Sequence, residues 1–322
     1  MMRFFGETKI DFIGKRNVAF TISAVVIIIG IIFMFINGLK YSIDFIGGGS
    51  LELDMTPNTE TAAIVSIEDI RQTLRDGGIE DAEIHELHDM DEKRLIKIKI
   101  QGTSKEDAET DSSKVDLIKK GELIKEILKN KFPDNYKSET RNLVIVGPKV
   151  GEELKGKAIL AIFWALAGII IYIWWRFEFK FGIAAIAALV HDILITLGIF
   201  AIFGKEISLP MVAALLTIVG YSLNDTIVVF DRIREDIKKY RKQTYADIIN
   251  KSINETLGRT IITSLTTFLV VLCLYIFGGT VINDFAFALL IGVIVGTYSS
   301  IFIASPILVG YFNKRLAARK RK

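Results

Sequence analysis

A carboxylate lies inside an apolar stretch of this sequence, where a charged group requires a partner or a function. Asp225 follows Asn224 in the segment VGYSLNDTIVVFDRIRE, residues 219–235, whose first part is mainly apolar. A charged side chain in a membrane-spanning helix costs about 2.5–3.5 kcal/mol on insertion scales, so it usually faces a helix bundle or a water-filled cavity. The candidate partner of Asp225 is Arg259, which opens the next apolar stretch at the same predicted membrane face.

Hydroxyl groups accompany both charged residues at helical spacing. The polar residues that share the two predicted helix faces include Ser222, Thr226, Thr260 and Thr263. If Asp225 faces Arg259 across the bundle, the arginine favours the charged carboxylate and burial favours the protonated one. Both states are then within reach, so the pair is predicted to bind a proton from one side of the membrane and release it to the other. A structural ion pair that never titrates is the alternative.

Three more polar residues are candidates for a supporting role. Asp192 lies beside His191, about midway along the preceding apolar stretch. These two are either a second proton relay or a carboxylate and an imidazole that neighbouring helices satisfy. Asn224 either orients Asp225 or bonds a backbone carbonyl.

The sequence contains no motif that predicts an enzyme, a metal site or a cofactor. The segment GEELKGK, residues 151–157, has the glycine and lysine spacing of a phosphate-binding loop. Ala158 stands where such a loop needs a magnesium-binding hydroxyl, so phosphate binding is rejected. His85 and His88 are predicted to be exposed polar residues rather than metal ligands.

The distribution of apolar residues predicts a polytopic α-helical membrane protein. The chain has 322 residues, of which 51% are hydrophobic and 24% are charged, and its apolar residues are gathered into long runs. A helix of about 20 apolar residues crosses a bilayer core of about 30 Å. The predicted transmembrane helices are 18–36, then helices 2–4 within 159–230 (159–175, 181–203 and 209–230), and helices 5–6 within 261–312 (261–277 and 285–312).

Between the first two spans, residues 40–157 contain no stretch that could cross a membrane. Apolar residues at every second position predict strands at 51–55, 82–89, 94–102 and 141–147. Apolar residues at helical spacing predict helices at 66–78 and 115–132. The order β-α-β-β-α-β predicts an α+β domain of the ferredoxin-like type, with two helices on one face of a four-stranded sheet.

The short connections predict the orientation of the chain. The N-terminal segment 1–17, the connection 231–259 and the tail 313–322 are all rich in Lys and Arg. Such residues accumulate on the cytoplasmic side, so both termini are predicted to be cytoplasmic and the α+β domain extracytoplasmic. The connection 231–259 is predicted to be an amphipathic loop along the membrane surface, and the tail is predicted to contact anionic lipids.

At five places the chain resembles the SecD/SecF family of protein translocase subunits, and the SecF branch in particular. This family is part of the resistance-nodulation-division superfamily. The segments that carry the resemblance are SIDFIGGGSLEL (42–53), VGPKVGEELKGKA (146–158), VHD (190–192), GYSLNDTIVVFDRIRE (220–235) and NETLGRTIITSLTT (254–267).

The resemblance implies a role in protein export from the bacterial cytoplasm. It implies six spans in the bacterial inner membrane, an exported first domain, pairing with a SecD-like subunit and work beside a SecYEG-type channel on exported unfolded polypeptide. It also implies use of the ion gradient, with protons favoured and sodium open; no nucleic acid is implied. A passive scaffold of the translocon is the alternative function, and a small-molecule efflux subunit is a weaker one.

Overall fold

The structure is a computed structural model, and it describes residues 8–57, 64–80, 82–88, 94–101, 112–135, 140–240 and 242–320. In chain order its elements are α1 (Arg16–Asn37), β1 (Lys40–Tyr41), α2 (Ile43–Ile46), β2 (Gly48–Asp54), α3 (Ile67–Asp76), β3 (Ala82–His88), β4 (Arg94–Gln101), α4 (Ser112–Lys131), β5 (Thr140–Val146), α5 (Pro148–Arg176), α6 (Phe179–Phe203), β6 (Glu206–Ile207), α7 (Leu209–Lys239), α8 (Tyr245–Phe277), α9 (Gly279–Ser299) and α10 (Ser305–Lys320). A π-helical turn, Ser300–Ala304, joins α9 to α10.

Six helices in the described part of the chain are long and apolar enough to cross a membrane. They are α1, α5, α6, α7, α8 and a sixth that runs from Ile282 to Lys314 through the π-helical turn. Their number and order agree with the prediction from hydropathy, so the chain is a polytopic helical membrane protein.

The second span starts earlier than its apolar stretch indicated. Residues 148–157, predicted to close the α+β domain, form the first turns of α5. Gly147 precedes this helix, and Pro148 occupies its first turn, where a missing N–H has no consequence. The charged residues that follow are good helix formers, so the helix is already established before the apolar stretch begins.

The predicted amphipathic loop 231–259 is wrong as a separate element. Helix α7 continues to Lys239 and α8 begins at Tyr245, so most of this region consists of extensions of these two helices. Likewise α10 continues to Lys320 through most of the predicted tail 313–322. The same helix propensity of Lys, Arg and Glu explains both differences.

The α+β domain, residues 48–146, is built on an antiparallel sheet in the order β3-β4-β2-β5. In β2 and β4, Leu51 pairs with Ile98 and Leu53 pairs with Ile96, and all four are fully buried. Helices α3 and α4 add Ile70, Leu74, Ile124 and Leu128 to this core. Burying each such side chain contributes about 1.5–3 kcal/mol, so one face of the sheet holds the helices in place.

The connection between α6 and α7 is short and defined by local signals. Helix α6 ends at Gly204, whose φ of 62° is left-handed and favours glycine. Ser208 precedes α7, and its hydroxyl accepts a hydrogen bond from Met211 N. Between them Glu206 and Ile207 pair in parallel with Lys40 and Tyr41. This pairing joins the exit of α1 to the entrance of α7.

Small residues allow the spans to approach closely. A Cβ added to Gly30 of α1 would lie 2.8 Å from Gly198 Cα of α6. In α9, a Cβ on Gly292 would meet Ile218 and one on Gly296 would meet Ser222, both of α7. The small-residue face of the last span therefore packs inside the bundle, against the helix that carries Asp225.

Candidate functional site

Asp225 of α7 is buried, with 2% of its surface exposed. Its Oδ2 accepts a 3.2 Å hydrogen bond from Ser264 Oγ of α8. Thr297 Oγ1 of α9 lies 2.7 Å from Ser264 Oγ and also 2.7 Å from Val293 O. A chain of hydroxyl groups therefore joins three spans at Asp225.

This chain of hydroxyls can donate in either direction. An ionised Asp225 only accepts, so Thr297 donates to Ser264 and Ser264 donates to the carboxylate. A protonated Asp225 donates to Ser264, which donates to Thr297, and Thr297 turns its hydrogen to Val293 O. Each donor has an acceptor in both states, so neither state leaves a buried polar group unpaired.

Arg259 is not the direct partner of Asp225. It lies on the exposed side of α8. In the described part of the chain no direct ion pair joins it to Asp225, although it lies within electrostatic range of that carboxylate. Arg259 precedes Ser264 by five residues, a rotation of about 140° around an α-helix. Because Ser264 faces Asp225, the backbone of Arg259 lies on a different side of α8, and the predicted ion pair is wrong as a direct contact.

Asp192 of α6 has more hydrogen-bond partners than Asp225. Only 1% of its surface is exposed. Its Oδ2 accepts hydrogen bonds from Ser222 Oγ at 2.5 Å and Ser299 Oγ at 2.8 Å. Its Oδ1 lies 2.9 Å from His191 Nδ1. The carboxylate thus joins α6, α7 and α9.

A second chain of hydroxyls leads from His191 to α1. His191 Nε2 lies 3.0 Å from Ser23 Oγ, which lies 3.1 Å from the hydroxyl of Tyr298. That hydroxyl also lies 2.9 Å from Ala19 O. With neutral His191, Tyr298 donates to Ser23 and Ser23 to the imidazole; with a charged imidazolium, the direction reverses and Tyr298 donates to Ala19 O. As at Asp225, a backbone carbonyl takes the last hydrogen.

The remaining predicted residues have different neighbours from those expected. Ser222 donates to Asp192 rather than Asp225, and Thr226 donates to its own helix. Asn224 is exposed and forms no hydrogen bond with any described residue, so it does not orient Asp225. The hydroxyl of buried Thr260 has no partner among the described residues, and Thr263 bonds its own helix.

Five residues of the site are missing from the sequence-based prediction: Ser23, Ser264, Thr297, Tyr298 and Ser299. Ser264 lies in the polar run TSLTT, residues 263–267. Thr297, Tyr298 and Ser299 lie in the run TYSS, residues 297–300. A run of hydroxyl side chains in a spanning helix was the available signal. Ser23 stands alone in an apolar helix, and its role depends on a contact between distant segments.

One cluster of acidic and histidine side chains lies between the α+β domain and the α6-α7 connection. Among the described residues, Glu83, His85 and Glu206 are near enough to share an ion. Lys99 forms an ion pair with Glu206. Partial burial of the imidazole lowers the pKa of His85, and the positive charge of Lys99 lowers it further. The lysine ammonium already neutralises Glu206, so this geometry does not favour a metal. The side chain of His88 lies outside the described residues.

Comparisons with known proteins agree on one family. The family described as "Protein export membrane protein SecD/SecF, C-terminal" matches residues 124–314. The chain is 46% identical over 309 residues to the protein translocase subunit SecF of Desulfurispirillum indicum, covering 95% of this chain and 92% of that one. It is 43% identical over 314 residues to SecF of Thermodesulfovibrio yellowstonii, covering 96% of this chain and 97% of that one.

A solved structure has the same fold. The crystal structure of SecDF, a translocon-associated membrane protein from Thermus thermophilus, is 36% identical with a TM-score of 0.79. The match covers 95% of this chain and 39% of that chain, so this protein corresponds to a part of the longer SecDF chain. By sequence over nearly its whole length and by fold, the chain belongs to the SecD/SecF family of protein export membrane proteins, in its SecF branch.

Proposed function

We propose that this chain is an accessory subunit of protein export that couples the transmembrane proton gradient to the outward movement of unfolded polypeptide. The observation that carries the proposal is that Asp225 and the buried pair His191–Asp192 each lie at the end of a hydroxyl chain that can reverse. A group meant to hold a charge permanently needs fixed donors. A group that takes up and releases a proton needs neighbours that satisfy both of its states, and these have them.

The geometry around Asp225 favours protons over sodium. Hard metal cations are held by several oxygen ligands that converge on one point. Among the described residues, Ser264 is the hydroxyl donor to Asp225, and the next hydroxyl of the chain bonds Ser264 rather than the carboxylate. This linear arrangement suits the transfer of hydrogen from one atom to the next.

A SecD-like subunit is the proposed partner within the membrane, consistent with the SecDF fusion that this chain resembles. The surface proposed for it, the α7 stripe, consists of Ala213, Thr217, Gly220 and Asn224, all exposed and at helical spacing. Small residues at such spacing allow a second helix to approach closely. Lipid would leave the amide of Asn224 without hydrogen bonds, whereas a polar residue on a partner helix would satisfy it.

The proposed setting is the bacterial inner membrane beside a SecYEG-type channel. Both termini are placed in the cytoplasm, and the α+β domain, whose strand order supports the ferredoxin-like type, is placed outside. Trp174 and Trp175 close α5 beside Arg176 and are largely exposed, as expected of residues at a membrane interface. The chain is proposed to act without enzyme activity or a cofactor.

The proposal is tested by export of a secreted reporter into vesicles that contain this chain, its SecD-like partner and the channel. Asp225→Asn is compared with wild type before and after the proton gradient is collapsed. We expect the variant to assemble normally and to lose the gradient-dependent part of export, because an amide does not titrate. Asp231→Asn is the control: the same change on the same helix, at a carboxylate in an exposed ion pair with Arg176.

A passive scaffold that stabilises the translocon is the second candidate function. The observation that favours this function is the close packing of α7 against α9, where Gly292 lies against Ile218 and Gly296 lies against Ser222. If Asp225→Asn leaves the gradient-dependent part of export unchanged, the carboxylate is structural and the scaffold replaces the motor.

A further inference from the structure

The segment that leads into the α+β domain contacts the membrane bundle at the entrance of α7. Asp44 Oδ2 accepts a 3.1 Å hydrogen bond from Leu209 N, the first residue of α7. The first N–H groups of a helix have no partner within the helix, and the helix dipole favours a carboxylate there. A side chain from the segment leading into the domain therefore caps the helix that carries Asp225.

A second contact reaches the same place from the sheet. Lys99 of β4 forms an ion pair with Glu206, three residues before α7. The two side chains are only 13% and 16% exposed, so solvent screens their attraction weakly. An exposed pair would contribute little, but loss of one partner of a partly buried pair leaves an uncompensated charge, so separation of these two elements is costly.

The backbone completes this junction. Lys40 pairs with Glu206 and Tyr41 with Ile207 in the parallel pair β1-β6, and Ser42 N donates to Ile207 O at 2.9 Å. The segment that leaves the domain also approaches the segment that enters it, since a Cβ on Gly47 would lie 2.6 Å from Pro148 Cα. The segment that enters the domain is thus packed on the α6-α7 connection and, at Gly47, on the segment that leaves the domain.

From these contacts we infer that Asp44, Lys99 and Glu206 are positioning residues that make the α+β domain move with α7. Asp225 lies about 24 Å along the helix from Leu209, at 1.5 Å per residue. A helix transmits displacement along its axis because its length is fixed by its hydrogen bonds. When protonation of Asp225 shifts α7 along its axis, the α+β domain then moves with the helix as a rigid body. This inference rests on the proposed function for its driving force.

The test uses charge reversal and its repair in the full chain with its partner. Lys99→Glu and Glu206→Lys each place like charges together, and we expect each to lower gradient-dependent export about fivefold or more. The double variant Lys99→Glu/Glu206→Lys restores opposite charges and should recover most of the loss. Lys97→Glu is the matched control, because Lys97 lies two residues away and pairs with Glu52 within the sheet.

A second readout requires no gradient. Tyr41→Cys/Ile207→Cys in a Cys273→Ser background places two thiols on register partners. With Lys99 and Glu206 unchanged, we expect the disulfide to form rapidly, because the ion pair holds the strands together. Either single charge reversal should lower the rate of disulfide formation at least about twofold, and the double variant should restore it. The form locked by the disulfide should retain gradient-dependent export, because a junction that moves as a rigid body stays closed throughout the cycle.

Two results would overturn the inference: single reversals that leave both readouts unchanged, or a locked form that loses gradient-dependent export. The second result would mean that the junction must open during the cycle. Failure of the proposed function is distinguishable, because it shows in Asp225→Asn, whereas the cross-linking yields report on the junction alone.

Discussion

At the scale of single residues, the two buried carboxylates share one design. Asp225 and His191–Asp192 each end a chain of hydroxyl groups whose far end lies beside a backbone carbonyl. That carbonyl matters because a hydroxyl has one hydrogen, and reversal of the chain needs an acceptor for the last one. Without it, one protonation state would leave a buried donor unpaired, at a cost of about 1–3 kcal/mol.

The threonine at the end of the Asp225 chain provides a direct test. Thr297→Val keeps the shape of the side chain and removes the hydroxyl that Ser264 needs as an acceptor when Asp225 is protonated. We expect gradient-dependent export to fall about tenfold, which corresponds to about 1.4 kcal/mol, within the range for an unpaired buried group. The same vesicle assay measures it.

The control for this change is Thr266→Val. Thr266 is exposed on α8, and its hydroxyl bonds carbonyls of its own helix. It should leave export within about twofold of wild type, as is usual for surface substitutions. Equal losses in the two variants would mean that the hydroxyl of Thr297 has no special role.

At the scale of elements, close approach of helices positions the polar groups. Ser23 of α1 reaches His191 of α6, and these two helices are in backbone contact at Gly30 and Gly198. In a membrane, water does not drive helices together, so their association depends on packing and on hydrogen bonds between them. The glycine contact therefore determines whether the hydroxyl chain from α1 is complete.

Enlarging one of these glycines should separate the two helices. In Gly198→Ala the new Cβ would lie 2.8 Å from Gly30 Cα. We expect a loss of about 1–3 kcal/mol in unfolding free energy, typical of overpacking, measured by denaturation in detergent. Gly168→Ala, at an exposed glycine of α5 with open space around its Cβ, should instead be neutral or slightly stabilising, because alanine favours a helix. A neutral Gly198→Ala would contradict the close contact.

At the scale of the whole molecule, burial is distributed unevenly over the spans. Half of the apolar window of α7 is buried, against 6% of that of α5. Yet α7 keeps one exposed stripe of small and polar residues, whereas the exposed residues of α5 include large aromatic ones such as Trp164 and Trp175. The first surface suits a helix and the second suits lipid.

The α7 stripe can be tested by adding bulk. Gly220→Trp fills the surface proposed for the SecD-like subunit, and we expect at least about tenfold less of the partner to co-purify, because a small residue lets helices approach closely. Gly168→Trp adds the same side chain to an exposed glycine of α5 and should leave the complex intact. Neither glycine has an atom within 4 Å of an added Cβ in this chain. If both variants co-purify normally, the partner binds elsewhere.

The sequence by itself determined the class of protein, the six spans, the main strands and helices of the α+β domain, and two of the site's carboxylates. These follow from local properties: apolar length, alternation and the rarity of a charge in a spanning helix. Helix ends were less predictable, since charged residues extend α5, α7 and α8 beyond their apolar stretches without a local stop signal.

Tertiary structure alone decided which polar groups meet. Asp225 contacts Ser264 rather than Arg259, and Ser222 contacts Asp192 although it shares a helix face with Asp225. Spacing along one helix fixes which residues share a face, but the rotation and depth of the neighbouring helix fix which residue opposes it. The rotation and depth of each helix depend on the packing of the whole bundle, including the contact of Gly30 with Gly198. A local sequence pattern therefore cannot predict them.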